Sequence, residues 1–576
     1  MHDDGIGCRK AGIACSRVYG VCSGSCTNEE PIENTVDDHV DINPVVLIKS
    51  GKIQGAVKYL LNGSKYYSFK GIPYAQPPVG KLRFKDPLPL KTWDGVFNAM
   101  DHGKVCPQNI FLSSNIIEGS ENCLFLNVYT QSLLPDSKLP VFFYIHGGAF
   151  ISGSGDTDMH GPEFLLQHDV VLVTINYRLE AFGFLCLDIP EVPGNAGLKD
   201  QVAALHWVKN NVSQFGGDPE NITIWGGSAG GASVTYHMIS PMTKGLFHKA
   251  ISQSGTFLSE WTNQTDGKER AFKVGKYLGK DTDDPYELLE FLQSVPAYKL
   301  IGMSRKLETH LEKLMALPTH FTPVIEKEFP NTEAFITDKP INLLISKKVH
   351  DVPHIAGYCS AEGLLVAKRE LKNLNVKNTL PFYFLTKELF DIESKDKVVE
   401  FGNRIKKFYF DNKHLTSNDI ETIGHLFTDP HMLYGIHKYA FYCAEACKSF
   451  YMYRFNLDTD LNIMKQKIGY GTKTGACHGD DLFYFFKNHL NSDKYQNQQK
   501  LKEHVNMLTK IWTNFAKTGN PTPDNRWNII WKPYTRSSKE YLRIDNTLSM
   551  GKGDDEERIN FWNELYAEAG LHYYKA

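Results

Sequence analysis

The sequence lacks any run of about 18 apolar residues, so no stretch of it is long enough to cross a bilayer as a helix. It also lacks a surplus of either charge, with 63 Lys and Arg against 66 Asp and Glu, a net of −3. That balance removes the electrostatic case for binding nucleic acid or an anionic membrane surface. No basic segment followed by a short apolar run opens the chain, so no signal peptide is readable. The last residues, Leu571 to Ala576, have no hydrophobic tail of the kind a lipid-anchor signal carries. Cysteine is scarce and unevenly placed: none lies between Cys186 and Cys359, and four of the eleven fall in the first 43 residues.

Those four, Cys8, Cys15, Cys22 and Cys26, lack the paired CxxC rhythm of a zinc ribbon, and no metal or other cofactor is expected from them. The segment 1–43 is polar and rich in Gly, Ser and Asp, which predicts a disordered leader. From Pro44 onward no linker, low-complexity block or fixed-period repeat breaks the chain. Residues 44–576 therefore read as one domain, large enough to bury a core without help from disulfides. Its fold class is α/β. Val141–Ile145, Val170–Ile175 and Ile222–Trp225 are short apolar runs of the kind buried strands use. Between the last two, Leu198, Val202, Leu205, Val208, Val212 and Phe215 recur at helical spacing. Strand, helix, strand at this length predicts a parallel sheet flanked by helices. Residues 260–440 read as helical insertions near the mouth of the site.

The strand Ile222–Trp225 runs straight into Gly226-Gly227-Ser228-Ala229-Gly230. This is G-x-S-x-G between a strand and a helix. Such a turn holds a serine in a strained backbone with its hydroxyl exposed, and the glycines avoid collision with neighbouring backbone. The motif arises by chance roughly 0.2 times in a chain of this length, so its setting carries the weight. Stabilising an oxyanion takes N–H donors from two places. Ala229 offers one, and Gly147, Gly148 and Ala149, directly after the strand Val141–Ile145, offer the others. The two loops together point to an acyl-transfer site.

Several ordered blocks resemble the type-B carboxylesterase family, which includes cholinesterases, liver-type carboxylesterases and insect esterases. They are Phe215-Gly216-Gly217-Asp218-Pro219 before the elbow, Glu121 to Val128, Gly71 to Ala75, Asn176 to Leu179, Gly194 to Gly197 and Phe561 to Tyr566. The resemblance runs from Pro44 to Tyr566. It implies the α/β-hydrolase fold, a mixed, mostly parallel sheet flanked by helices with large helical insertions, and a serine carboxylic-ester hydrolase acting on a small-molecule ester. It further implies Glu362, in Gly357 to Gly363, as the acid and His478, in Gly475 to Asp481, as the base. Ser254 and Asp481 match supporting positions near the histidine. On this reading Asp480 matters little to turnover and Asp481 moderately.

Two residues depart from the family pattern. Ala149 stands where many members have glycine, but keeps its N–H. Gly227 stands where glutamate is usual and where the branch specialised for juvenile hormone has glutamine, which argues against that substrate. Cys106 and Cys123 match the family's first disulfide, a loop closure worth about 3 kcal/mol. The loop they close has no tryptophan, only Phe111, where cholinesterases hold a cationic alcohol on a tryptophan face. The disulfide and the sequons at Asn62 and Asn263 favour a secreted glycoprotein. The sequons at Asn211 and Asn221 fall at a helix end and a pre-strand turn and read as structural. Other readings are a catalytically inactive adhesion or binding protein and a lipase, thioesterase or amidase of the same fold. The oligomeric state and the natural ester are not readable.

Overall fold

Val141 to Ile145 forms a strand because every residue in it is β-branched or aromatic, which suits burial on both faces of a sheet. In the computed structural model, which describes residues 42–109, 117–315 and 320–571, this run lies within the strand Leu139–Ile145. Val141, Phe143 and Ile145 enter the core on one face of the sheet, Phe142 and Tyr144 the core on the other. The leader cysteines and Phe111 lie outside the described residues.

Eleven strands build the central sheet. In chain order they are β1 (Ala56–Tyr59), β2 (Lys65–Pro73), β3 (Phe125–Thr130), β4 (Leu139–Ile145), β5 (Val171–Ile175), β6 (Gly217–Gly227), β7 (Lys249–Gln253), β8 (His354–Cys359), β9 (Phe450–Phe455), β10 (Glu540–Ile544) and β11 (Leu548–Lys552). Their spatial order is β11-β10-β9-β8-β7-β6-β4-β5-β3-β2-β1. Pairings from β5 through β4 to β10 are parallel, and those at the two edges are antiparallel. This is the mixed, mostly parallel sheet of the α/β-hydrolase fold.

Five helices matter to the site: α1 (Ala196–Asn211), α2 (Ala229–Ile239), α3 (Leu364–Glu370), α4 (Tyr434–Ala446) and α5 (Gln499–Thr518). α1 buries Leu198, Val202, Leu205 and Val208 as their spacing predicts, while Val212 and Phe215 fall in a separate turn that ends at Gly216, φ 70°. β5 and β6, expected as a βαβ pair, are both parallel to β4, which lies between them. β6 also starts earlier than its apolar run. Gly217 pairs with Leu139 before a register shift, a segment whose polar residues hid it from a hydrophobicity reading. α5 turns Leu508, Ile511, Trp512 and Phe515 toward the sheet face that carries Tyr144 and Trp225. Residues 260–440 are largely helical, as expected, and α3 lies among them. Cys106 and Cys123 are bonded.

Candidate active site

At Ser228 the chain turns from β6 into α2 with φ 58° and ψ −123°, a region that side chains rarely enter. The turn fits because Gly226 and Gly230 lack side chains. A Cβ on Gly230 would collide with the carbonyl of Ile145 at the end of β4, and one on Gly226 with Gly230 itself. The elbow is also tied from below. Ser228 N–H donates to the Gln253 carbonyl (2.7 Å), and the Ala232 N–H donates back to the Ser228 carbonyl (2.9 Å).

His478 reaches Ser228 from the loop after β9, with Nε2 2.8 Å from Oγ. Its Nδ1 meets a Glu362 carboxylate oxygen in a short hydrogen bond. A carboxylate only accepts, so Nδ1 carries the proton and Nε2 is free to accept from the serine. Glu362 is 2% exposed, and its other oxygen accepts the Cys359 N–H (2.7 Å). The acid and base loops are pinned to each other. Ala361 N–H donates to the Ala476 carbonyl (2.8 Å), and the Ala476 N–H donates to the Ser360 hydroxyl (3.1 Å). Burial opposes charge on His478, but the adjoining Glu362 carboxylate, with Asp481 and Asp480 behind it, holds the ring's pKa above the ordinary histidine value.

Gly147, Gly148 and Ala149 follow β4 and line the same cavity as Ser228 and His478. Gly148 has φ 106° and Ala149 φ 56°, so the alanine occupies a left-handed position that glycine fills more easily. Ala229 opens α2, where the first N–H groups have no partner inside the helix. His146, just before the loop, stacks on Tyr177 and is pushed by burial down to about 4, so it is neutral at physiological pH. The cavity holds about 230 Å³, and Met159, Leu365, Met464, Leu482 and Phe483 bring apolar side chains to its wall. Among the described residues no Asp, Glu, Lys or Arg lines it.

Asp480 and Asp481 both turn away from the ring. Asp480 accepts the N–H groups of Cys477 (2.7 Å) and Lys465 (3.2 Å), clamping the loop that carries His478. Asp481 accepts from the Gln253 amide (2.7 Å) and the Tyr453 hydroxyl (3.1 Å). Burial raises them to about 7 and about 6. The buried hydroxyl of Ser254 has no hydrogen-bond partner among the described residues, and its N–H donates to the Gly357 carbonyl (2.8 Å). Ser254 has φ 52°, a left-handed backbone position.

The sequence reading missed Gln253, which joins Trp225, Asp481 and the Ser228 N–H. Its position directly before Ser254 was the available signal. Asn62 is exposed in the β1–β2 turn, whereas the Asn263 amide is tied to the Phe257 carbonyl (2.6 Å). Asn211 is buried at the end of α1, as its structural reading requires.

A family model described as "Carboxylesterase family" matches residues 42–562. The "Carboxylic ester hydrolase" of Bombus ignitus is 35% identical over 91% of this chain and 94% of its own length. Esterase FE4 of Myzus persicae is 34% identical over 87% and 88%. The crystal structure of juvenile hormone esterase from Manduca sexta, with OTFP covalently attached, superposes with a TM-score of 0.82 at 31% identity. It covers 91% of this chain and 100% of that one.

Proposed function

Because this chain belongs to the carboxylesterase family and is a carboxylic-ester hydrolase, we propose that it works through an acyl-enzyme on Ser228. The observation that carries this reading is His478 standing between Ser228 and Glu362 at an apolar cavity. His478 Nε2 takes the hydroxyl proton as Oγ attacks the ester carbonyl. The N–H groups of Gly147, Gly148, Ala149 and Ala229 receive the negative charge that develops on the carbonyl oxygen. Glu362 fixes the tautomer and stabilises the imidazolium. The ring then returns its proton to the departing alcohol, and water repeats the sequence to release the acid.

The uncharged, largely apolar cavity favours small to medium neutral or lipophilic esters. In a similar structure, OTFP is covalently attached, which supports covalent capture as the mode of action. We place this activity in residues 44–576 as a single domain. The Cys106–Cys123 bond favours an oxidising compartment and secretion.

Labelling with a fluorophosphonate probe tests the nucleophile. One adduct on Ser228 is expected, and Ser228→Ala should lower the turnover number by about 10⁶-fold. An adduct on Ser254, or none, would remove Ser228 from its role.

A further inference from the structure

Outside the catalytic cavity, the last turn of α4 carries Cys443 and the helix is capped by Cys447, four residues on, and His354 at the start of β8 faces them. Cys443 and His354 are fully buried, and Cys447 is half-buried. The Cys443 and Cys447 sulfurs lie 2.7 Å apart. Cys443 Sγ is 3.9 Å from His354 Nδ1, and the other ring nitrogen contacts the Ser252 hydroxyl at 3.0 Å. The Tyr439 hydroxyl stands 3.3 Å from the same Nδ1.

Non-bonded carbons already rest about 3.5–4.0 Å apart, and sulfur is larger. A separation of 2.7 Å is far inside that contact and near the roughly 2.05 Å of a disulfide. A tetrahedral zinc ion, with Zn–S bonds of about 2.3 Å, would hold two sulfurs about 3.7 Å apart. The geometry therefore favours a bond between the sulfurs over a shared cation. The backbone permits it. The Cys447 N–H donates to the Cys443 carbonyl (2.9 Å), so the last turn is intact. Helix geometry then sets the Cα atoms about 6.2 Å apart, inside the about 4.4–6.8 Å that disulfides span.

We propose that Cys443 and Cys447 are a redox-active pair that closes to an intramolecular disulfide when the protein meets a small-molecule disulfide. Cys447 is the less buried of the two and so the sulfur an outside reagent meets first. The hydrogen bond to Cys443 and burial hold the Cys447 thiol well above the usual value, so it gives up its proton as its sulfur attacks one sulfur of the oxidant. The oxidant's S–S bond breaks, one small thiol leaves with the proton from Cys447, and a mixed disulfide remains on Cys447. Cys443 then passes its proton to His354 Nδ1 and attacks the Cys447 sulfur. The second small thiolate is expelled and takes the proton from the imidazole. Two protein thiols are oxidised, and one small disulfide is reduced to two thiols. Burial opposes loss of the Cys443 proton, but the Cys447 thiol and His354 outweigh it and bring the thiol down to about 6. The other unpaired cysteines among the described residues, Cys186, Cys359 and Cys477, are buried, and burial pushes their thiols up.

The sequence supplies a clean readout. No Lys or Arg lies between Lys438 and Lys448, so trypsin releases both cysteines in one peptide, Tyr439–Lys448. Native full-length protein is equilibrated with oxidised and reduced glutathione at graded ratios, denatured, blocked with iodoacetamide and digested. Under oxidising ratios the peptide should lose two hydrogen atoms and carry no alkyl group; under reducing ratios it should carry two alkyl groups. Cys443→Ser should leave glutathione attached to Cys447, while Cys447→Ser should leave Cys443 free, and both should keep ester turnover because neither residue lines the cavity. Two alkyl groups at every ratio, with Cys106–Cys123 still bonded, would overturn the proposal. So would one zinc ion per native protein, seen by native mass spectrometry and lost in Cys443→Ser.

Discussion

Three carboxylates lie close to His478, and hydrogen-bond direction separates their roles. Only Glu362 accepts from the ring. Glu362→Gln should therefore lower the turnover number by about 10⁴-fold through the wrong tautomer, measured on a neutral aryl ester. Asp480 is expected to matter little to turnover, and it holds two buried N–H groups and so positions the loop. Asparagine there would turn a donor toward one of them. Asp480→Asn should cost about 1–3 kcal/mol in a denaturant titration, while the pH profile of the remaining activity keeps its shape. Equal loss of turnover in Asp480→Asn and Glu362→Gln would reassign the acid. The proton on His478 also sets a pH dependence. The base works only when neutral, and its pKa is raised. The acid limb of kcat/KM should thus titrate above the ordinary histidine value of about 6.5, with activity lost as pH falls through it.

At the scale of elements, the elbow and the oxyanion loop are one assembly, because α2 can meet β4 only through a residue without a side chain. Gly230→Ala would push the helix off the Ile145 carbonyl and shift the nucleophile against the Gly147–Ala149 donors. A displacement of about 1 Å at a reacting centre costs about 10²-fold, and Gly230→Ala should lose at least that in kcat. Activity within twofold of wild type would mean the two elements are not coupled. The loop closed by Cys106 and Cys123 contributes through what it lacks. Without a tryptophan it offers no strong face to a quaternary ammonium. Specificity for acetylthiocholine should fall well below that for naphthyl acetate, and the reverse order would show another cation site.

For the whole molecule, buried titratable groups set the acid limit of stability. Burial pushes His146, His160, His168, His237, His320, His425 and His437 down to about 3 or 4. Each binds fewer protons folded than unfolded between about pH 4 and 6.5, so each makes stability rise with pH across that window. Glu180, Asp429, Asp480 and Asp481 act oppositely. Their folded values, about 6 to 7, are raised by burial, and their contribution is lost as pH rises toward 7. Among the groups displaced this far, the seven histidines outnumber the four carboxylates. The melting temperature should climb from pH 4 to 6.5, and a flat or falling curve by calorimetry would contradict this balance.

The sequence by itself determined the local features. Unbroken β-branched and aromatic runs made buried strands, apolar spacing made α1, and a serine flanked by glycines after a strand made an elbow. These depend on neighbours within a few residues. The resemblance of ordered blocks added Glu362 and His478, which no spacing rule joins to Ser228. The tertiary structure alone decided what long-range contact controls. β4 lies between β5 and β6, and the polar start of β6 pairs with β4. Gln253 braces the elbow, and Asp480 clamps the base loop. A hydrogen bond depends on the direction and separation of atoms that folding brings together from distant parts of the chain, and hydrophobic periodicity carries no record of either.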